Sequence, residues 1–505
     1  MKKVATGYRL IFGYLGIFLA MTGIIILLPL LLLIAPDYRA DAIYLPHFLI
    51  PGASMILFGA VLFYFLIAKR DKAQLAKHQD SVLLILLWLI AILVSSVPFF
   101  ATGKMTFTES VFESTSGYAS VGLTRLPLEL YDSKIFTFYR AILQFFGGVG
   151  FVLIITSVIS DRYGLKLYTA EGHTDRIIPN LSKSARLILA MYVGFIVLGM
   201  VALMIAGVDW FDALTHSISS IATGGFSSRP GGMADYSGNQ IAIEIITCVL
   251  MVLGATNFVL HFMLLLGRFK KVGKDIEIRT FLIVVLIFVP LMFLAFLMSN
   301  NVLTGENFTP LESIRYGTFT FLSCITTTGY SNVPVTASGA VIIPGVAFLL
   351  LTICNVIGGG MGSTAGGVKF YRLGIAAKSY YWTLKSRFSP SNLIYPTYIS
   401  RCGETKTVTK DDSNEAFGYI LLYILVMLVG AYLVSILGSY DFGKSLFEFS
   451  TALSGTGLSN GISADANVAV MWVLNVGMFA GRLEILVVYY AIFRMLRDLF
   501  RKETY

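Results

Sequence analysis

Glycine, threonine and serine recur in four short stretches of this 505-residue chain, in a pattern suited to holding a cation. The stretches are Ser120-Val121-Gly122-Leu123, Ala222-Thr223-Gly224-Gly225, Thr327-Thr328-Gly329-Tyr330 and Gly455-Thr456-Gly457-Leu458. Three share Thr-Gly and the first has Val-Gly; aligned on that pair, the common glycines are Gly122, Gly224, Gly329 and Gly457. Carbonyl oxygens gathered around an axis can replace the hydration shell of a cation. Glycine permits φ angles closed to other residues and, having no side chain, leaves the axis open. Each turn follows a moderately apolar stretch too short to span a membrane. A helix ending there points the negative end of its dipole at the ion. Glu113 and Glu448 both precede their glycine by nine residues. Bracing of the re-entrant helix is their expected role, with ion ligation the alternative.

Little else in the chain offers chemistry. Cys248, Cys324, Cys354 and Cys402 lack metal-ligand spacing and read as small buried hydrophobes. The five histidines form no zinc motif, and no phosphate-binding fingerprint follows a strand, so no cofactor is expected in this chain. A nucleophile–base or metal pair for an intramembrane enzyme is not found.

The elements that must position the turns are membrane helices. Hydrophobic residues make up 56% of the chain and charged ones 13%, about half the roughly 25% of a soluble domain. Mean hydropathy is +0.77. The uncharged run 10–34 is long enough to cross a bilayer and has no cleavage pattern after it, so it reads as a retained helix. Further apolar runs lie near 47–68, 81–101, 135–159, 187–207, 240–266, 280–299, 339–357 (continuing, interrupted, to about 380), 416–438 and 466–493, predicting ten crossings. Each Gly turn falls between two of them. The unit of helix, re-entrant helix, turn and helix thus repeats four times at a period of about a hundred residues. All four begin on the same side, unlike the inverted pairs of many coupled transporters.

Charge gives the orientation. The net charge is +9, and most of the 38 basic residues cluster at the N-terminus, 69–80, 161–186, 268–279, 369–413 and 491–505. These are alternate connections, so the positive-inside rule puts both termini in the cytoplasm. The excess charge sets topology and implies no nucleic acid; the basic loops also suit an acidic protein partner.

These turns resemble the selectivity-filter turns of the Trk/Ktr/HKT superfamily of K+ transporters, to which the bacterial TrkH and KtrB proteins belong. The resemblance covers nearly the whole chain. Gly147-Gly-Val-Gly150, Asn257-Phe258 with His261, and Ala480-Gly-Arg-Leu-Glu484 also match. The most specific match is the run 357–369, containing Gly358, Gly359, Gly360, Gly362, Ser363, Thr364, Gly366, Gly367 and Lys369. In the family this run interrupts the second helix of the third repeat and forms an intramembrane gate loop. So many glycines cannot sustain a helix, each costing about 1 kcal/mol relative to Ala. Arg482, in an otherwise apolar helix, is placed by the resemblance beside that loop, where it would repel a cation; a salt bridge to Glu484 or another buried carboxylate is the alternative.

The resemblance implies an all-α integral membrane protein with four pore repeats around a pseudo-fourfold axis and two extra N-terminal helices, more like TrkH than KtrB. The expected divisions are 1–80 (extra helices), 81–186, 187–279, 280–414 (with gate loop 358–367 and a cytoplasmic insertion) and 415–505. It also implies a K+ uptake protein of the bacterial inner membrane, acting as a homodimer on a cytoplasmic TrkA/KtrA-type ring that binds nucleotide. The transported K+ is its only metal, held by the filter residues. A Na+- or H+-coupled symporter and a Na+/K+-permeable relative stay open. The first filter reads Ser-Val-Gly where many relatives carry Thr, and its glycine is kept.

Overall fold

Glycine brings the first two helices together. In the computed structural model, which describes residues 4–6, 8–66, 72–74, 79–150, 180–236, 239–299, 308–333, 343–390 and 397–500, α1 (Tyr8–Leu27) and α2 (Leu45–Leu66) cross with Gly16 against Gly59 and Gly23 against Gly52. A Cβ on Gly16 would lie 2.6 Å from the Gly59 carbonyl, so only small residues allow this approach. Two short parallel strands, β1 (Val4–Thr6) and β2 (Lys72–Gln74), put the start of α1 and the end of α2 on one side.

Four units follow. The first has α3 (Gln79–Ser95), α4 (Phe107–Tyr118) and α5 (Lys134–Val149). The second has α6 (Leu181–Ile205), α7 (Trp210–Ile221), α8 (Gln240–Gly254) and α9 (Phe258–Leu265). The third has α10 (Ile276–Leu297), α11 (Pro310–Ile325), α12 (Gly345–Ile357) and α13 (Phe370–Arg387), then a hairpin of β3 (Tyr398–Arg401) and β4 (Glu404–Thr407). The fourth has α14 (Lys410–Gly438), α15 (Phe442–Ser454), α16 (Val468–Arg482) and α17 (Ile485–Phe500). The result is a multi-pass α-helical membrane protein. Its outward faces stay apolar: Ile205 is 83% exposed and Leu286 76%, as a lipid-facing surface requires.

The helices before each turn are continuous and those after it are not; of the ten predicted crossings, only the one at 339–380 was expected to be interrupted. Among the described residues, six helices are long and apolar enough to span. The run 240–266 instead bends by 107° between α8 and α9, and 466–493 bends by 101° between α16 and α17. The run 339–380 breaks at the Gly-rich loop, and α5 ends at Gly150, whose φ is +86°. The rest of 135–159, and the basic loop 161–186 up to 179, lie outside the described residues. At 13 to 16 residues these half-helices are roughly 20–24 Å long, short of a bilayer core. Each break has a local cause. The Asn257 side chain caps α9 by accepting from Val259 N (2.8 Å), and Glu484 takes a φ of +60°.

The helices α4, α7, α11 and α15 are the short re-entrant ones, 12 to 16 residues long. Thr106 with Glu109, and Thr309 with Glu312, form capping boxes, while Asp209 and Asp441 cap the other two. Gly147, Gly254 and Gly481 let the half-helices pack onto the last turns of α4, α7 and α15: a Cβ on each would meet the carbonyl oxygen of Tyr118, Ile221 or Leu453.

Candidate cation pathway

Each re-entrant helix ends in the same turn. The amides of Val121, Gly224, Thr328 and Thr456 donate back to the carbonyls of Ser116, Ser219, Ser323 and Thr451 at 2.8–2.9 Å. Ser120, Thr223, Thr327 and Gly455 take left-handed φ values of +51°, +49°, +54° and +81°. Two residues later Gly122, Gly225, Gly329 and Gly457 do so again, at +100°, +74°, +86° and +78°. Alternating hand along a short segment turns successive carbonyls to one side.

The four turns close into a ring. A Cβ built on Gly122 would lie 2.6 Å from the carbonyl oxygen of Gly224. One on Gly225 would fall on that of Thr328, one on Gly329 on that of Thr456, and one on Gly457 on that of Val121. Each unit therefore touches the next and the fourth returns to the first. This corrects the sequence alignment by one residue: Gly225, not Gly224, is the partner of Gly122, Gly329 and Gly457. Gly224 occupies the place of Val121, Thr328 and Thr456.

Buried polar groups brace the turns. Glu448 accepts from Ser459 Oγ (2.7 Å), Asn460 N (3.0 Å) and Ser463 N (2.9 Å). Glu113 accepts at the same offsets from Thr124 Oγ1 (3.0 Å) and Arg125 N (2.9 Å), and pairs with Arg140 at 2.7 Å. Both carboxylates hold the chain leaving the turn, the expected bracing role. Arg140 is only 1% exposed and stacks 4.0 Å from the Phe226 ring, so its charge belongs to the brace and not to an outer loop. His216 holds the equivalent place in the second unit, with Nδ1 3.2 Å from Tyr330 Oη and Nε2 3.3 Å from Ser228 Oγ. In the third unit that place goes to Thr320, whose buried hydroxyl finds no hydrogen-bond partner among the described residues. At the outer rim, partial burial pushes the Glu109 carboxyl up, but hydrogen bonds from Thr106 and the Arg125 guanidinium outweigh it and hold it below the usual carboxylate range.

The Gly-rich loop lies directly beneath the ring. Its amides at Gly360 and Thr364 donate to the carbonyls of Ala255 (2.8 Å) and Gly254 (3.2 Å), and Met361 N donates to Glu277 (3.0 Å). Thr364 Oγ1 reaches Thr223 Oγ1 (3.1 Å), and Gly366 N donates to Thr327 Oγ1 (2.9 Å). The loop thus contacts the turns of two units. Gly358, Gly362 and Gly367 take φ near +70° to +79°, and Gly358 packs against Gly367 where it leaves α12. Arg482 donates to Thr364 O (2.9 Å) from α16 and to the carbonyls of Gly147 and Gly148 at the end of α5. Glu484 is instead taken by Arg372 (2.9 Å) and Lys369 (3.6 Å), which sets aside the Arg482–Glu484 salt bridge. Above the ring an outer cavity of about 550 Å³ is lined by Gly122, Gly225, Gly329 and Gly457. Below it, a small cavity lies among the loop, Arg482, and Ser120 and Gly455 of the first and fourth turns.

Sequence reasoning named the turns, the loop, Arg482 and the two glutamates. It missed His216, the partner of Glu113, and the breaks in the second and fourth units. The sequence signals for those breaks were Asn257 and Glu484, each just past a glycine and short of a full span.

Fold and ring together define a multi-pass α-helical membrane protein in which four re-entrant turns meet in one ring. Residues 45–498 match the profile of TrkH, described as a cation transport protein, and the chain belongs to that family. It is 29% identical to the Trk system potassium uptake protein TrkH of Escherichia coli, across 83% of this chain and 85% of that one. It is 28% identical to an uncharacterized cation transporter of Methanocaldococcus jannaschii, across 94% and 92%. The crystal structure of the potassium transporter TrkH from Vibrio parahaemolyticus superposes with a TM-score of 0.80 at 25% identity, covering 98% of this chain and all of that one.

Proposed function

We propose that this protein takes up K+ by channel-like permeation through the four-turn ring. The observation that carries the reading is the closed ring itself: four glycines, each seated on the next unit's carbonyl oxygen, with no charged side chain among the turn residues. An ion entering from the outer cavity exchanges water for carbonyl oxygens, aided by four helix C-termini aimed at the axis. The filter comprises 120–123, 222–225, 327–330 and 455–458. The loop 358–367, with Lys369 and Arg482, is the gate, held against the turns through Thr364 and Gly366. Similarity to potassium uptake proteins supports K+ as the ion.

The division into extra helices and four pore repeats at 80, 186, 279 and 414 is part of the same reading. So are a homodimer in the bacterial inner membrane, cytoplasmic termini, and a TrkA/KtrA-type ring that binds nucleotide and moves the gate. Exposed Arg268, Lys270, Lys271 and Lys274 suit such a partner, as do Lys385 and Arg387. Lys369 and Arg372 do not, being held by Glu484. Reversal potentials of purified protein in liposomes test the reading. Gly122→Ser is expected to raise Na+ permeability relative to K+; an unchanged ratio removes that turn from the filter. Charge neutralisation at 268–274 is expected to weaken ring binding in a salt-dependent way.

A further inference from the structure

Gly224 is the one ring position where glycine replaces a side chain, and the reason lies in another unit. Gln144, on α5 of the first unit, is fully buried. Its Nε2 donates to Gly224 O at 2.6 Å, and its Oε1 accepts from Ser219 Oγ at 2.7 Å. A Cβ on Gly224 would fall on this amide, within 2.6 Å of both its nitrogen and its oxygen. The amide therefore fills the space that Val121, Thr328 and Thr456 fill with their own side chains.

The bond makes the ring unequal. Gly224 O touches Gly122 as the other ring carbonyls touch their glycines, so it holds the same place in the ring. Among the described residues it is the one of the four with a side-chain donor. The supporting hydroxyl is diverted too: Ser116 Oγ accepts from Gly122 N (3.1 Å) in the first unit, whereas the equivalent Ser219 hydroxyl turns to Gln144. Across the ring, Asn355 on α12 reaches the fourth unit, but it accepts from the Thr456 hydroxyl (2.9 Å) and leaves the carbonyl alone.

We propose that Gln144 is a specificity-positioning residue, pinning the Gly224 carbonyl so that this quarter of the ring cannot close around a smaller cation. A carbonyl already holding an N–H is drawn away from the axis and offers less electron density to the ion. Freed of that bond it moves inward, which favours Na+ more than K+. Gln144 and Gly224 are then a matched pair. The inference rests on the ring being the filter, and the experiment separates the two.

The test uses purified full-length protein in liposomes, with K+ and Na+ permeabilities read from reversal potentials. Gly329→Ser serves as the filter control, replaced by Gly122→Ser, whose Cβ has the most room of the four ring glycines, if the first does not fold. Gln144→Leu removes the donor at similar volume, and its relative Na+ permeability is expected to rise about fivefold, the ratio set by the net worth of one hydrogen bond. Gly224→Thr alone should abolish folding or flux, because threonine meets the amide. Gln144→Ala with Gly224→Thr makes the second turn resemble the third, and should restore flux with the shifted ratio. If Gly329→Ser shifts the ratio and Gln144→Leu, properly folded, does not, the role of Gln144 is refuted and the filter stands. If neither shifts it, the filter reading falls and this inference with it. Should Gln144→Leu fail to fold, the double variant decides. A wild-type ratio, or a defect as severe as that of Gly224→Thr alone, overturns the pairing.

Discussion

Replacing Arg482 by methionine keeps most of the stem volume and removes the guanidinium. Two of its contacts, to Gly147 and Gly148 O, join α16 to the end of α5, and a 2.9 Å bond to Thr364 O reaches the loop. A hydrogen bond from a charged donor has a net worth of about 1.5–3 kcal/mol. Each 1.4 kcal/mol is tenfold in an equilibrium, so losing the Thr364 bond should raise the open-to-closed ratio by about 10- to 150-fold. Removing the positive charge adds to the flux by lowering the barrier to a cation. Rubidium uptake into liposomes, without any regulatory partner, reads the sum. Arg482→Lys divides it, keeping the charge but losing the fork that reaches three carbonyls at once. If the bond is the latch, lysine raises basal flux partway; if charge alone matters, lysine behaves as wild type. A well-folded Arg482→Met protein whose basal flux is unchanged or reduced would refute the argument that this side chain holds the gate closed.

Three further outcomes are expected. Thr364→Val removes the 2.9 Å bonds to Ile221 O and Gly254 O and the contact with Thr223, so basal rubidium flux should rise, by a smaller factor than in Arg482→Met. Gly16→Leu forces α1 from α2 and should lower stability by about 1–3 kcal/mol, seen as a lower melting temperature in detergent. Flux per folded molecule should hold, because both helices lie outside the four units. Arg140→Met strands the Glu113 carboxylate in a buried site at a cost of about 3–5 kcal/mol, and thermal melting should show Glu113→Gln with Arg140→Met recovering most of the loss.

The spans before each turn were plain in the sequence because a run such as 280–299 carries no charge. The four turns were plain because Gly recurs at one place in each unit, beside Thr in three of them. The breaks after them were harder to see. The apolar character of 240–266 continues through the bend, and hydropathy does not register a change of direction. Arg140 and Lys369 looked like loop charges because their partners, Glu113 and Glu484, lie 27 and 115 residues away.

The sequence alone determined that the chain lives in a membrane, that four Gly turns recur between helices, and that the 357–369 run cannot be helical. Composition, period and intrinsic backbone preference are local properties, readable without a fold. Tertiary structure decided the register of the ring, the identity of each brace and the place of the loop against the turns. Two adjacent glycines, 224 and 225, are equivalent in one dimension. Only the carbonyl of Thr328 against one, and the amide of Gln144 against the other, tell them apart.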